Sequence, residues 1–250
     1  MTDTFLTIDE NPVSLKQTLG YLQAAGKLQS FIVEILQQYI LEKAIKEEEL
    51  PNSTAIVEQA VINFRMQNEL SEPEAFKEWL VKNNLTYDRF HGQVAGGVRL
   101  AQLKVKIAEP KLQEHFIDRK LVLDRVVLSR IIVESRELAE ELHLQILEGV
   151  SFEQLAQKHS VGEDRIVNGM LGPVSRATLP DRLRAAIDEA NPGDIVGPLQ
   201  LEERWLIFRV EQFLPASLED NQIKETLQNE IFEQWLAEKV RALKVKIEAE

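Results

Sequence analysis

The sequence predicts an α+β domain set into an otherwise helical chain, and three observations predict it. Apolar residues recur near every 3.6 positions through most of residues 12–120, the period of an amphipathic helix. A β-branched run from Val126 to Val133 then breaks that texture, and further extended runs follow before residue 214. After Pro215 a last helical stripe closes the chain.

In the first stretch, Leu28, Ile32, Ile35 and Tyr39 form one stripe, broadened by Phe31 and Leu36, which runs into Glu47-Glu48-Glu49 and stops at Pro51. Asn52-Ser53 offers a new cap, and Ile56, Ala60 and Phe64 begin the next helix. Ser71 with Glu74 three residues later reads as a capping box ahead of a short helix carrying Phe76 and Leu80. Thr86 opens a longer helix whose stripe is Phe90, Val94, Val98, Ala101 and Val105. Gly92, Gly96 and Gly97 interrupt it, each at about 1 kcal/mol relative to alanine, and mark a kink or a close helix contact.

Beyond Lys120 the order is strand, helices, strand, helix, strand, strand. Val126–Val133 is the first strand. Residues 135–149 and 151–159 are helical, with Gly149 as a stop. Gly162–Arg176 is loop with a short strand around Leu171–Val174, and Leu179–Ala190 is helix. Asn191-Pro192-Gly193-Asp194 is a turn. Residues 195–199 and 205–213 are antiparallel strands joined through Glu202-Glu203. The final helix carries Phe232, Leu236, Val240, Leu243 and Ile247.

Composition limits the functions. The 250 residues hold 29 Lys and Arg against 41 Asp and Glu, a formal charge of −12, with 44% apolar residues. That charge repels phosphate backbones and anionic lipid, so nucleic acid and membrane are not the expected partners. The absence of cysteine excludes disulfides, thiolate catalysis and cysteine-ligated metals. Met1 to Phe5 show no basic leader and no apolar run nears the roughly 18 residues of a membrane span, so the expectation is a cytoplasmic protein. His91, His115, His143 and His159 lie at no ligand spacing, which points away from a metal site. Ser160 beside His159 has no carboxylate to orient it, which argues against a serine hydrolase. Trp79 and Trp235 fall on helical stripes and read as core.

Several short motifs occur in one order. Gly149-Val150-Ser151-Phe152-Glu153-Gln154-Leu155-Ala156 is followed by His159-Ser160 and Asn168-Gly169-Met170-Leu171-Gly172. Leu179-Pro180-Asp181-Arg182-Leu183 precedes Pro192-Gly193-Asp194-Ile195-Val196-Gly197-Pro198-Leu199, and Arg204 to Val210 closes the set. From Val126 to Phe213 the run resembles the parvulin-type peptidyl-prolyl isomerase (rotamase) domain. Asn68 to Ser71 and Leu85 to Phe90, with the flanking helices, resemble the N-terminal half of SurA- and PrsA-type foldases. The resemblance implies a four-stranded antiparallel sheet with helices, residues 121–214, attached to an all-helical chaperone module of residues 1–120, on which a C-terminal helix, 215–250, packs. It implies a foldase that binds unfolded or proline-containing polypeptide, with no cofactor and no metal. The alternative is a catalytically silent peptide-binding or adaptor protein, for example a holdase for an exported substrate.

Two positions depart from the family. Its histidines of the first and last strands are held here by Arg130 and Leu206. The family's acidic or thiol position falls among Gly162, Glu163 and Asp164. The resemblance places the apolar proline pocket at Met170, Leu179, Leu183 and Leu206, with Arg130 beside them and the aromatic place at Asp188 or Ile187. Prolyl isomerisation needs no nucleophile. Its barrier of roughly 20 kcal/mol is amide resonance, lowered when a dry pocket holds the imide with a donor or two beside it. Arg130 either pairs with Glu163 or Asp164 to rebuild a polar network or is a plain strand arginine, and the plain reading is the simpler.

Overall fold

The computed structural model describes residues 4–48, 50 and 54–246. The chain divides into two compact units, Met1–Leu112 with Thr226–Glu250, and Gln113–Glu225.

The first unit opens on a hairpin the periodicity did not reveal, so the unit is not all-helical. Strands β1 (Thr4–Ile8) and β2 (Asn11–Ser14) pair antiparallel. Asp9 and Glu10 join them at φ 46° and 67°, the paired left-handed turn that suits strand twist, here without the usual glycine. Ser14 and Gln17 form a capping box that starts α1 (Leu15–Ala24). Helices α2 (Leu28–Glu47), α3 (Thr54–Gln67), α4 (Pro73–Lys82) and α5 (Tyr87–Leu123) follow, and α9 (Asn221–Arg241) comes last in the chain. The division into units falls inside α5 and α9.

Several helical faces are turned relative to the sequence reading. In α2, Ile40 is buried, whereas Phe31, Ile35 and Tyr39 are exposed. In α3, Val57 and Val61 are buried and Ile56 is exposed. Apolar residues surround these helices on more than one side, so periodicity alone did not fix the face. The expected capping box at Ser71 and Glu74 is absent. Glu72 is the N-cap with no side-chain cap, and Pro73 in the first turn sets the start. The helix α5 runs through all three glycines, and nothing lies within 4 Å of where their Cβ atoms would stand, so close helix contact is not their role. The final helix ends at Arg241, short of Leu243, while Ile247, like Pro51 and Asn52-Ser53, is outside the described residues. Trp79 does join an aromatic core with Phe64, Phe76 and Phe90, and Trp235 stacks on Phe232.

The second unit carries a four-stranded sheet in the order β4-β3-β6-β5, every pair antiparallel. Its strands are β3 (Arg125–Val133), β4 (Met170–Ser175), β5 (Ile195–Leu201) and β6 (Arg204–Leu214). The helices are α6 (Arg136–Leu147), α7 (Phe152–His159) and α8 (Asp181–Asp188), with a 3-10 turn at Glu163–Val167. Ser135 and Ser151 cap α6 and α7 by accepting the N–H groups of Leu138 and Gln154. The elements read after Lys120 are all present, and Glu202, at φ 58°, turns β5 into β6 as expected.

Strand alternation sends the two faces of this sheet to different cores. Ile131 and Val133 with Ile207 pack under α6 and α7, together with Ala139, Leu142, Phe152 and Leu155. Val126, Leu128 and Ile132 with Leu206, Phe208 and Val210 face α8, which supplies Leu183 and Ile187.

Candidate active-site face

Arg130 sits between Leu128 and Ile132 on the α8 side of β3, paired in register with Phe208 of β6. Leu206, paired with Ile132, is its diagonal neighbour. Arg130 and Leu206, the two positions the resemblance assigns to histidines, are therefore brought to one sheet face, against which Leu183 packs. Leu183 and Leu206 are 2% and 6% exposed and form the floor. Leu179, Leu171 and Leu199 pack against that floor and stay partly open. Arg184 of α8 donates to the Leu179 carbonyl at 3.4 Å and pairs with Asp181, which fixes the entry to α8.

Met170 is placed differently from its neighbours. It begins the edge strand β4 opposite Ser129 and is 52% exposed, while Leu171, the next residue, joins the floor cluster. Alternation along Met170-Leu171 was the signal available for choosing between them. Of the two residues read for the aromatic place, Ile187 is in the cluster and Asp188 faces Arg176 at 2.6 Å. Trp205 lies on the opposite face, among the α6 and α7 residues, beneath the Arg136 guanidinium.

The polar partner of Arg130 is Asp164. Arg130 Nε donates to Asp164 Oδ2 at 2.6 Å, with side chains 33% and 10% exposed. Two glycines make this pairing possible. A Cβ on Gly162 would stand 2.3 Å from Asp164 Oδ1, and one on Gly169 would stand 2.3 Å from the Arg130 carbonyl oxygen. Gly169 also needs its φ of 79°, a region that other residues enter at a cost. Arg130 N–H donates to the Gly169 carbonyl and Gly169 N–H to the Asp164 carbonyl, both at 2.8 Å. Ser160, nearly fully buried, accepts the N–H groups of Ile132 and Gly162 on its hydroxyl and so anchors the loop. The spacing role of Gly162 and Gly169 and the anchoring role of Ser160 arise only from the folded-back loop.

Two further networks brace the unit. Burial works against an ionised Asp124, yet its carboxyl stays below the usual range because Lys120 and the Ala216 N–H donate to it and Lys120 and Arg176 face it with charge. Glu153 is held at about 2 by the Ser151 hydroxyl first and the Arg209 guanidinium second. Arg209 lies over the Phe152 ring on the α7 side, away from Arg130. Among the described residues, no group of three metal-ligating side chains occurs and no helix is long and apolar enough to cross a membrane.

Residues 128–212 match the family described as Rotamase, the PPIC-type PPIASE domain. This part of the chain is a parvulin-type domain. One curated relative aligns over more than the matched segment. Chaperone SurA of Pseudomonas aeruginosa is 25% identical over 154 residues, 62% of this chain, and the chain spans about a third of that relative's length (33%). The peptidylprolyl isomerase PrsA from Bacillus cereus aligns over 98% of this chain and 95% of its own, at 14% identity and a TM-score of 0.49. A SurA-like chaperone of Campylobacter jejuni aligns over 98% and 100%, at 15% identity and a TM-score of 0.37. In this parvulin domain the sheet face under α8 has an apolar floor, a partly open leucine rim and the Arg130 guanidinium.

Proposed function

We propose that the parvulin domain binds extended, proline-containing polypeptide on the sheet face covered by α8, and that the chain acts as a parvulin-type foldase and chaperone. The observation that carries this reading is the convergence of Arg130, Leu179, Leu183 and Leu206 on that face within the segment that matches the family. Burying a proline ring and its apolar neighbour against such leucines is worth about 25 cal/mol per Å² removed from water. An apolar surround also removes the water that stabilises the polar, planar imide, which favours its twist.

Leu206 favours binding over turnover. It is packed inside the apolar cluster and offers no donor at the position the sequence resemblance assigns to an imidazole. Losing one positioned donor typically costs on the order of 2–4 kcal/mol of transition-state stabilisation. The expected outcome is measurable binding of proline peptides with slow isomerisation.

Leu179 supplies the test because it lines the face and is only partly buried. Leu179→Asp should abolish binding of an uncharged proline peptide, read by calorimetry, with the circular dichroism spectrum unchanged. Binding of that peptide by Leu179→Asp with the affinity of the parent chain would place the peptide elsewhere.

A further inference from the structure

The geometry of the Arg130–Asp164 pair is one-sided. Only Nε of Arg130 is engaged, at 2.6 Å from Asp164 Oδ2. Among the described residues, both terminal Nη groups lack a protein acceptor, although guanidinium and carboxylate commonly meet through two parallel bonds. Asp164 is nine-tenths buried and its Oδ1 is buried without a partner. The carboxylate is thus fixed behind the arginine, enclosed by Gly162, and orients a guanidinium whose outer donors are still unspent. Those donors belong to a side chain, one third exposed, on the sheet face that carries Leu206 and that Leu183 of α8 packs against.

Which atom of an imide receives such a donor decides the outcome. Amide resonance draws charge from nitrogen onto oxygen in the planar form. Twisting restores the nitrogen lone pair and removes charge from the oxygen. A hydrogen bond to the carbonyl oxygen therefore strengthens the planar ground state, whether cis or trans, more than the twisted state. Interactions stronger in the ground state than in the transition state raise affinity and slow the reaction. A permanently charged, forked donor suits carbonyl oxygen, which has two accepting lone pairs.

We propose that Arg130 is a carbonyl anchor: its Nη groups donate to the oxygen of the residue preceding the substrate proline, Asp164 is the residue that positions it, and the anchor holds the segment while restraining its isomerisation. This rests on the peptide-binding reading above and goes further by assigning opposite effects on binding and turnover to one side chain. The substrate class it names is a proline segment with an unprotonated carbonyl acceptor and no required charge.

The probe is a short uncharged peptide with one Ala-Pro bond, followed by NMR exchange spectroscopy with the full chain, which gives the dissociation constant and the exchange rate at saturation. Arg130→Met should weaken binding about tenfold or more, and the cis-trans exchange rate at saturation should rise severalfold. Because that variant leaves Asp164 buried without its cation, Arg130→Met with Asp164→Asn provides a folded comparison and should show the same opposed changes. Asp164→Asn alone should give a smaller version of both. A purely structural role would not accelerate exchange. Unchanged affinity in both arginine variants, or a slower exchange rate, would overturn the anchor. If the parent chain itself fails to bind the peptide, or Leu179→Asp binds it normally, the peptide-binding reading has failed instead and the anchor falls with it.

Discussion

Gly169→Ala should unfasten the site without altering any of its named side chains chemically. The new Cβ would stand 2.3 Å from the Arg130 carbonyl oxygen, so the loop must move away from β3. The left-handed φ of 79° adds about 1–2 kcal/mol for any side chain. Displacement also strains two 2.8 Å backbone bonds, Arg130 N–H to Gly169 and Gly169 N–H to Asp164, each worth about 1 kcal/mol net. Together these give about 3–4 kcal/mol. Gly149→Ala is the internal comparison. Its φ is 97°, but nothing lies within 4 Å of its Cβ position, so only the backbone term of about 1–2 kcal/mol applies. Hydrogen exchange read by mass spectrometry across residues 125–175 is the suitable assay, because two units need not melt together. Protection of the Arg130 amide should fall by roughly an additional factor of thirty in Gly169→Ala relative to Gly149→Ala, the equivalent of about 2 kcal/mol. Equal losses in the two variants would refute the close-approach argument.

Two other expectations concern stability. A fragment of residues 121–214 lacks Lys120 and Ala216, which together with Arg176 hold the buried Asp124, so a fragment of residues 113–225 should be more stable by about 2 kcal/mol in urea titration. Equal midpoints would show that Asp124 needs neither partner. Glu153 has its carboxyl depressed to about 2 from 4.5, so its contribution is fully present above the unfolded value and is lost as pH falls from about 4.5 towards 2. With 43% of the side chain exposed, that contribution is small and screened, yet Glu153→Gln should flatten the acid limb of a melting-temperature profile between those values. An unchanged acid limb would remove Glu153 from the network.

The sheet was legible because its strands carry β-branched runs separated by turn residues. Val126–Val133 and the Glu202-Glu203 hairpin are local signals that tertiary packing only reinforced. The hairpin at Thr4–Ser14 was not legible, since Asp9-Glu10 adopts a left-handed turn that its residue types do not announce. Helical faces such as that of α2 were turned for a related reason: exposed Phe31, Ile35 and Tyr39 make the stripe ambiguous. Within the candidate site, Arg130 and Leu206 follow from strand register and Leu183 from its place in α8, while Leu179 lies in the bend just before that helix and follows from motif order alone. Alternation separates Met170 from Leu171 onto opposite faces of β4, and it is the packed structure that shows Leu171 turned inward. The choice of Asp164 over Glu163, and the need for Gly162 and Gly169, depend on a loop folding back across 34 residues of chain. No local spacing encodes that approach.

On the reading proposed above, an extended proline segment lies on the α8 face of the parvulin domain. Titrating the uncharged Ala-Pro peptide into the isotopically labelled full chain, and following backbone amide shifts, tests it most directly. Saturable shifts should concentrate at Arg130, Leu171, Leu179, Leu183 and Leu206, with Trp205 and the α6 residues on the opposite face little changed. Shifts that saturate on α6, α7 or the first unit, leaving Leu179 and Leu206 unmoved, would contradict it.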